Sequence, residues 1–208
     1  MAKVLYVRAN PKPVQQSFTL RLAQAFLSAY REKNPADTIT ELDLYKTDIP
    51  LINETVMSAW VKLSQGTSLS TEELSTLERI NSFTMQFIES DKVVIAAPMW
   101  NFSFPPKVKA YIDTIMIAGK TFKYTENGAV GLLKDKSVLL IEARGGIYSD
   151  DPTKALEHAE SYLKAIMNFM GIQSFKTIIC EGVSSYPQRA EELFNNASQR
   201  AVEIAGSF

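Results

Sequence analysis

Residues 92–98, Lys92-Val93-Val94-Ile95-Ala96-Ala97-Pro98, contain five consecutive apolar residues closed by a proline. A strand with one wet face alternates apolar and polar residues, so an unbroken apolar run marks a strand covered on both faces, the condition of a parallel sheet. The same pattern recurs in Val138-Leu139-Leu140-Ile141. Taken with their flanks these runs predict strands over Lys92 to Ala97 and Ser137 to Glu142. Three more Val-, Ile- and Leu-rich runs, Lys3 to Arg8, Thr38 to Leu44 and Phe175 to Cys180, predict three others.

Helical spacing fills the intervals. Leu20, Ala23, Phe26, Leu27 and Tyr30 share one helical face, and Asn34-Pro35 ends that helix. Ser70-Thr71-Glu72-Glu73 has the form of a capping box opening a helix to about Glu89. Pro105-Pro106 opens a third helix through Val108, Tyr111, Ile112 and Ile115. Asp151-Pro152 opens a fourth through Leu156, Leu163 and Phe169, closing at Gly171, and Tyr186-Pro187 opens the last. Strand and helix therefore alternate, which implies right-handed βαβ units. The predicted class is α/β, a doubly wound five-stranded parallel sheet of order 2-1-3-4-5 with helices on both faces. No linker or repeat divides the chain, so residues 1–208 are expected to form one domain. A partly helical excursion is expected at about 45–69, around Val56, Trp60 and Leu63.

The 208 residues carry 22 Lys+Arg against 23 Asp+Glu, a net charge of −1, with 46% apolar residues. That balance supplies a core and excludes the basic field that drives binding to nucleic acid or anionic lipid, so neither nucleic acid nor membrane is an expected partner. Cys180 is the single cysteine, so no internal disulfide forms, and no Cys/His cluster matches a zinc framework; no metal is expected. The N-terminal apolar stretch is interrupted at Arg8, too early for a secretory segment, and no apolar run reaches the ~18 residues of a membrane span. The expected location is cytoplasmic.

In open α/β sheets the ligand lies beyond the carboxyl ends of the strands, where strand order reverses. Three loops leave that edge. Asn10 to Phe18 runs into the first helix, whose free amides make an anion site to which Ser17 and Thr19 add hydroxyls. Ser17 also reads as a plain N-cap. No G-x-G-x-x-G follows the first strand, and Gly119-Lys120-Thr121 lacks the upstream glycine of a P-loop because position 114 is Thr114. A phosphate held without glycines points to a mononucleotide. The second loop, Pro98-Met99-Trp100-Asn101-Phe102-Ser103-Phe104-Pro105-Pro106, crowds aromatic rings and a thioether around an amide, a surface suited to a flat ring. The third, Ala143-Arg144-Gly145-Gly146-Ile147-Tyr148, joins two glycines to a cation. Either Arg144 or the loop amides would stabilise negative charge there, and a solvated Arg beside a plain Gly-Gly turn is the simpler alternative. His158, the only histidine, is placed on the solvent face of the fourth helix, and Cys180 reads as a buried apolar residue, so neither serves as an acid or nucleophile.

Three segments, Ala96-Ala97-Pro98-Met99-Trp100-Asn101-Phe102, Phe122-Lys123-Tyr124-Thr125-Glu126-Asn127-Gly128 and Arg144-Gly145-Gly146, follow one another on this five-strand pattern. Together they closely resemble the FMN-dependent NADH-azoreductases, flavodoxin-like quinone reductases of bacteria, over essentially the whole chain. The resemblance implies a flavodoxin-like, FMN-binding homodimer with one FMN per subunit, reducing azo dyes and quinones by ping-pong hydride transfer from NADH. It also implies that the FMN phosphate lies at Asn10, Ser17, Phe18 and Thr19, and the isoalloxazine against Met99, Trp100, Asn101 and Phe102. Ala143, Arg144, Gly145 and Gly146 would meet the pyrimidine edge. Tyr124 and Phe169 would line the acceptor pocket at the dimer interface, although Phe169 also fits a core position. The chain departs from relatives that carry Ser at position 10, Gln at 18, Ser at 19, Tyr at 100, and Ser or Thr at 143. Asn10 and Thr19 retain donors, whereas Phe18 and Ala143 offer only backbone. No side-chain acid or nucleophile is expected to be essential, because the chemistry belongs to the flavin. The alternative is a flavodoxin-type electron carrier without NADH turnover. Such carriers are short and strongly acidic, and the net charge of −1 argues against it.

Overall fold

The computed structural model describes residues 1–208. Its central sheet takes five strands in the order β2-β1-β3-β6-β7, all parallel. They are β1 (Lys3–Arg8), β2 (Thr38–Asp43), β3 (Lys92–Ala96), β6 (Ser137–Ala143) and β7 (Ser174–Cys180). Relabelled by place in the sheet this is 2-1-3-4-5, as the alternation of elements predicts. The helices are α1 (Phe18–Lys33), α2 (Glu54–Ser64), α3 (Thr71–Glu89), α4 (Pro106–Ile115), α5 (Glu160–Phe169) and α6 (Ala190–Ile204).

Strand periodicity divides the core in two. Leu5, Val7, Val93, Ile95, Val138 and Leu140 face α3, α4 and α5, packing on Phe87, Tyr111, Ile112, Leu163 and Met167. Their neighbours Val4, Tyr6, Val94, Ala96, Leu139 and Ile141 face α1 and α6, packing on Leu20, Phe26, Ala197 and Ala201. Each fully buried Leu, Ile or Val contributes about 1.5–3 kcal/mol, so both faces of each inner strand add to the same ledger. The small residues Ala197, Ala201 and Ala205, spaced one turn apart and buried, let α6 lie close beside α1.

The structure adds a hairpin absent from the sequence expectation: β4 (Phe122–Thr125) and β5 (Gly128–Gly131), antiparallel, turning at Glu126 and Asn127 into Gly128 at φ +105°. The Asn127-Gly128 pair was a readable turn signal, but four-residue strands carry too little alternation to register beside it. A Cβ on Gly131 would lie 2.1 Å from the Gly171 nitrogen, so only glycine lets this hairpin dock against the end of α5. The fourth helix also starts later than expected. Asp151-Pro152 leads only into a 3-10 turn, Thr153–Leu156, and α5 begins at Glu160 because the Glu157 carboxylate accepts the amides of Ala159, Glu160 and Ser161. His158 therefore lies in the connection before α5 rather than on a helix, still exposed. Likewise Pro187 opens a 3-10 turn, Pro187–Arg189, and α6 follows it.

The excursion between β2 and α3 is pinned by one carboxylate. Glu73, buried at the start of α3, accepts Lys62 Nζ at 2.8 and 2.9 Å, Ser58 Oγ at 2.8 Å and the Ser70 amide at 2.7 Å, while Ser70 Oγ accepts the Glu73 amide at 3.2 Å to complete the capping box. These donors, led by Lys62, hold its carboxyl down at about 2. A depressed folded-state value stabilises the fold above the ordinary carboxylate range and loses that contribution as pH falls through the folded value. Urea unfolding of wild type and Glu73→Gln should differ clearly near pH ~7, and the difference should shrink between pH ~4.5 and ~2. An equal gap at both ends would show that Glu73 does not hold α2 to α3 through its charge.

Candidate functional site

The three predicted loops do leave the carboxyl edge together, and the backbone ladder continues into them. The Ala9 amide donates to Ala96 O at 2.9 Å, Met99 to Ala143 O at 3.1 Å and Arg144 to Cys180 O at 2.8 Å. In the first loop a 3-10 turn, Val14–Gln16, delivers Ser17 to the N-cap of α1. Ser17 Oγ accepts the Leu20 amide at 3.2 Å and Asn10 Nδ2 at 2.9 Å. Both lone pairs are thus used and the hydroxyl hydrogen remains to be donated, so capping and anion binding coexist in one side chain. The Phe18 and Thr19 amides have no intrahelical acceptor, and the first turn of α1 carries no acidic residue. Thr19, 1% exposed, accepts the Ala143 amide at 3.1 Å through Oγ1 and so ties α1 to the end of β6. Asn10, also buried, accepts the Lys12 amide while donating to Ser17 and sets the shape of the loop.

The second loop is a two-residue turn closed by Trp100 N to Ser103 O at 2.6 Å and Ser103 N to Trp100 O at 3.0 Å. Its central residues, Asn101 at φ +49° and Phe102 at φ +67°, both lie in the left-handed region. Asn tolerates that region, but a bulky aromatic residue there is an outlier of the kind that clusters at functional sites. Trp100 is 37% and Phe102 44% exposed, so the turn presents flat rings rather than burying them. Trp100 leans on Tyr45, whose hydroxyl is buried without a partner, and the Phe102 ring stands edge-on to Tyr148 at 6.0 Å.

In the third loop the amides of Gly145 and Gly146 make no hydrogen bond within the protein, while the carbonyls of Arg144, Gly145 and Gly146 accept amides from residues 182–185. A Cβ on Gly145 would sit 3.0 Å from Ser184 Oγ, and one on Gly146 3.0 Å from the Tyr148 ring. The structure settles which part of Arg144 serves the loop surface. The guanidinium points inward, its side chain 2% exposed, with Nε and Nη2 donating to Glu142 Oε2 at 2.9 and 2.8 Å and Nη2 to Glu160 Oε2 at 3.1 Å. Glu157 and Glu181 lie at 3.5 and 3.8 Å. Only the backbone of Arg144 remains beside the glycines, and the solvated-Arg alternative does not hold. Burial pushes the Glu142 carboxyl up to about 7 against the pull of Arg144, and its Oε1 has no partner.

These carboxylates were not singled out from the sequence. The signal was present in Glu142, an acid closing an otherwise apolar strand; Glu157, Glu160 and Glu181 come together only through the fold. Cys180 is buried, and its thiol is pushed up to about 11 by burial. Tyr124 and Phe169 do come together, through Phe122, whose ring is 5.5 Å from Tyr124 and 4.9 Å from Phe169. Phe169 is 40% and Tyr124 74% exposed, so Phe169 is a surface residue rather than a core one. Both sit at the C-terminal end of α5, and the three loops at its N-terminal end, so they are separated by about 14 Å of helix at 1.5 Å per residue. The groove that Tyr124 lines contains no residue of the three loops.

The doubly wound sheet, with a capped and acid-free helix end at the edge where its strand order reverses, defines a flavodoxin-like α/β protein. A family model described as having a flavodoxin-like fold matches residues 2–205. The chain is 47% identical over 211 residues to an FMN-dependent NADH:quinone oxidoreductase 3 of Halalkalibacterium halodurans and 46% identical to an FMN-dependent NADH:quinone oxidoreductase of Bacillus pumilus, with 100% of each chain covered. Its fold superposes on a crystal structure of azoreductase from Bacillus anthracis at a TM-score of 0.95, with 39% identity and full coverage of both chains. An FMN-dependent NADH-azoreductase from the same species, crystallised with FMN, matches at a TM-score of 0.94, with 39% identity over 100% of this chain and 99% of that one. The chain belongs to this flavodoxin-like family of FMN-dependent NADH:quinone oxidoreductases and NADH-azoreductases, which are enzymes.

The left-handed turn yields a direct test on the protein without flavin. Phe102→Gly removes a ring contact worth about 0.5–1.5 kcal/mol and relieves backbone strain of about 1–2 kcal/mol, so apo-protein stability should stay within about 1 kcal/mol of wild type. Retention of flavin should fall. A loss of stability above about 3 kcal/mol in chemical unfolding would mean that the ring is a core side chain.

Proposed function

We propose that this chain is an FMN-dependent oxidoreductase that uses NADH to reduce quinones and aromatic azo compounds, in ping-pong fashion by two-electron hydride transfer. The observation that carries the reading is the convergence of unpaired amides, at Phe18 and Thr19 on one side and at Gly145 and Gly146 on the other, around a strained aromatic turn. The residues fit FMN: a capped helix end free of acid for a phosphate, exposed rings for a flat heterocycle, and glycines where a Cβ would crowd the loop. FMN, when bound, supplies the two-electron relay between NADH and acceptor.

The protein's part is binding and electrostatics. Ser17, Phe18 and Thr19 hold the phosphate, with Asn10 setting the loop. Met99, Trp100, Asn101 and Phe102 wall the ring and exclude water from one face. Ala143 and Arg144, by backbone, and the Gly145 and Gly146 amides lie along the pyrimidine edge, where donors aimed at growing negative charge favour a two-electron change. No side chain in the three loops is assigned a general acid or base role, because the hydride chemistry belongs to the flavin. The whole of 1–208 acts as one FMN-binding domain, in the cytoplasm where NADH is available, with no role for nucleic acid or membrane; no helix is long and apolar enough to cross one.

Anaerobic mixing of the FMN-loaded protein with NADH should bleach the flavin, and oxidation by a benzoquinone or an azo dye should give parallel double-reciprocal plots. Bound FMN that NADH leaves oxidised would support the electron-carrier alternative. Asn101→Gly, which keeps the left-handed backbone and deletes the side-chain amide, should slow bleaching or weaken FMN binding by about ten-fold, the size of one neutral hydrogen bond. Unchanged values would remove the Asn101 side chain from the site.

A homodimer belongs to the same proposal. The Tyr124 and Phe169 patch adjoins an apolar groove of about 630 Å³ lined by Trp60, Leu63, Leu74 and Met116, and Leu63 and Leu74 stand exposed on it. A second copy would cover it and bring Tyr124 and Phe169 to the partner's loops, which a single chain cannot do. Sedimentation should give twice the chain mass, and Tyr124→Ala should raise KM for the acceptor with FMN affinity unchanged. A monomer that turns over at full rate would overturn this part.

A further inference from the structure

Arg144 is the one arginine among the buried residues, and it faces four carboxylates carried by different elements: Glu142 on β6, Glu157 in the connection before α5, Glu160 on α5 and Glu181 after β7. Gathering so many acids around one cation costs desolvation and repulsion, and a well-packed apolar cluster would stabilise the fold at least as well. The geometry shows what the cluster achieves instead. Glu157 accepts the first amides of α5, and the residue between, His158, donates its amide to Phe102 O at 2.9 Å. Glu181 accepts the Tyr148 amide at 3.0 Å and the Ser149 hydroxyl, and the Tyr148 ring packs on both Phe102 and Gly146. Arg144 itself immediately precedes Gly145, and its carbonyl accepts the Val183 amide. The left-handed turn and the glycine turn, on two different loops, are therefore joined at a single guanidinium.

We propose that Arg144 is a positioning residue: bound to Glu142, Glu157, Glu160 and Glu181, it sets the separation between the Asn101–Phe102 turn and the Gly145–Gly146 amides. The inference rests on the reading that these loops hold FMN. A guanidinium suits the task because its planar fork reaches several carboxylates at fixed angles, whereas an ammonium is a point charge on a flexible stem. Charge alone is then insufficient, and Lys at this position preserves the charge while losing the geometry.

The test compares wild type, Arg144→Lys and Glu157→Gln by FMN titration, by the midpoint potential of the bound flavin and by thermal unfolding of the apo-protein. Arg144→Lys should weaken FMN binding at least ten-fold and shift the midpoint to lower potential, because the amides no longer register with the reduced ring. Glu157→Gln, which keeps a helix-capping oxygen, should fold as wild type and weaken FMN binding three- to ten-fold in the same direction, so the inference stays testable where Arg144→Lys fails to fold. Variants that lose apo-protein stability yet keep the wild-type affinity and midpoint would reduce Arg144 to a structural ion pair and overturn the proposal while leaving the FMN site standing. Wild-type protein that does not bind FMN would overturn the site itself and the proposal with it.

Discussion

The inner strands β1, β3 and β6 lie between two helical layers, so their backbone groups have no water and must be satisfied along the ladder. That constraint does not stop where the strands stop. The same bonds run on through Ala9 to Ala96, Ala97 to Ile141, Met99 to Ala143 and Arg144 to Cys180, carrying the register of the sheet into the loops. A loop anchored at its root by a buried ladder presents its next residues at a set height, and this is why three short segments far apart in sequence form one edge.

Above that edge the structure spends stability on shape. Phe102 stays in the left-handed region because its carbonyl is held by the His158 amide and the turn is closed by Trp100 and Ser103. Arg144 stays buried because four acids answer it, and Glu142 shares that site with its carboxyl raised to about 7. Neither arrangement is what a stability optimum would select, and both border the same unpaired amides. The opposite edge is managed differently. There Gly131 docks against Gly171, and the hairpin carries Tyr124 to the surface beside Phe169. The two ends of α5 thus hold two different kinds of chemistry, one polar and strained, the other apolar and exposed.

Much of this was legible. Continuous apolar runs identify strands covered on both faces, and the proline and capping signals place α1, α3 and α4 within a residue or two. The candidate site was legible as three loops, because the ligand edge of such a sheet follows from topology. What sequence could not assign was the direction of individual side chains. Arg144 beside two glycines suggests a cation offered to a ligand, and the fold turns it inward toward acids whose nearest spacing along the chain is 2 residues and whose farthest is 37. The late start of α5 was hidden for a related reason: Pro152 is a good helix opener, but the acceptor that caps the helix is the Glu157 carboxylate, a long-side-chain cap that local propensity does not favour.

The sequence by itself determined the sheet, its order, the helices that cover it and the family, since periodicity and turn chemistry act over a few residues and motifs are read in line. Only the tertiary structure decided that Asn101 and Phe102 are left-handed, that the Arg144 guanidinium is withdrawn and that Tyr124 and Phe169 stand about 14 Å of helix away from the loops. Each of these depends on what lies opposite a residue in space. A buried cation goes where acids gather and a strained turn survives where its neighbours hold it, and no local pattern records either.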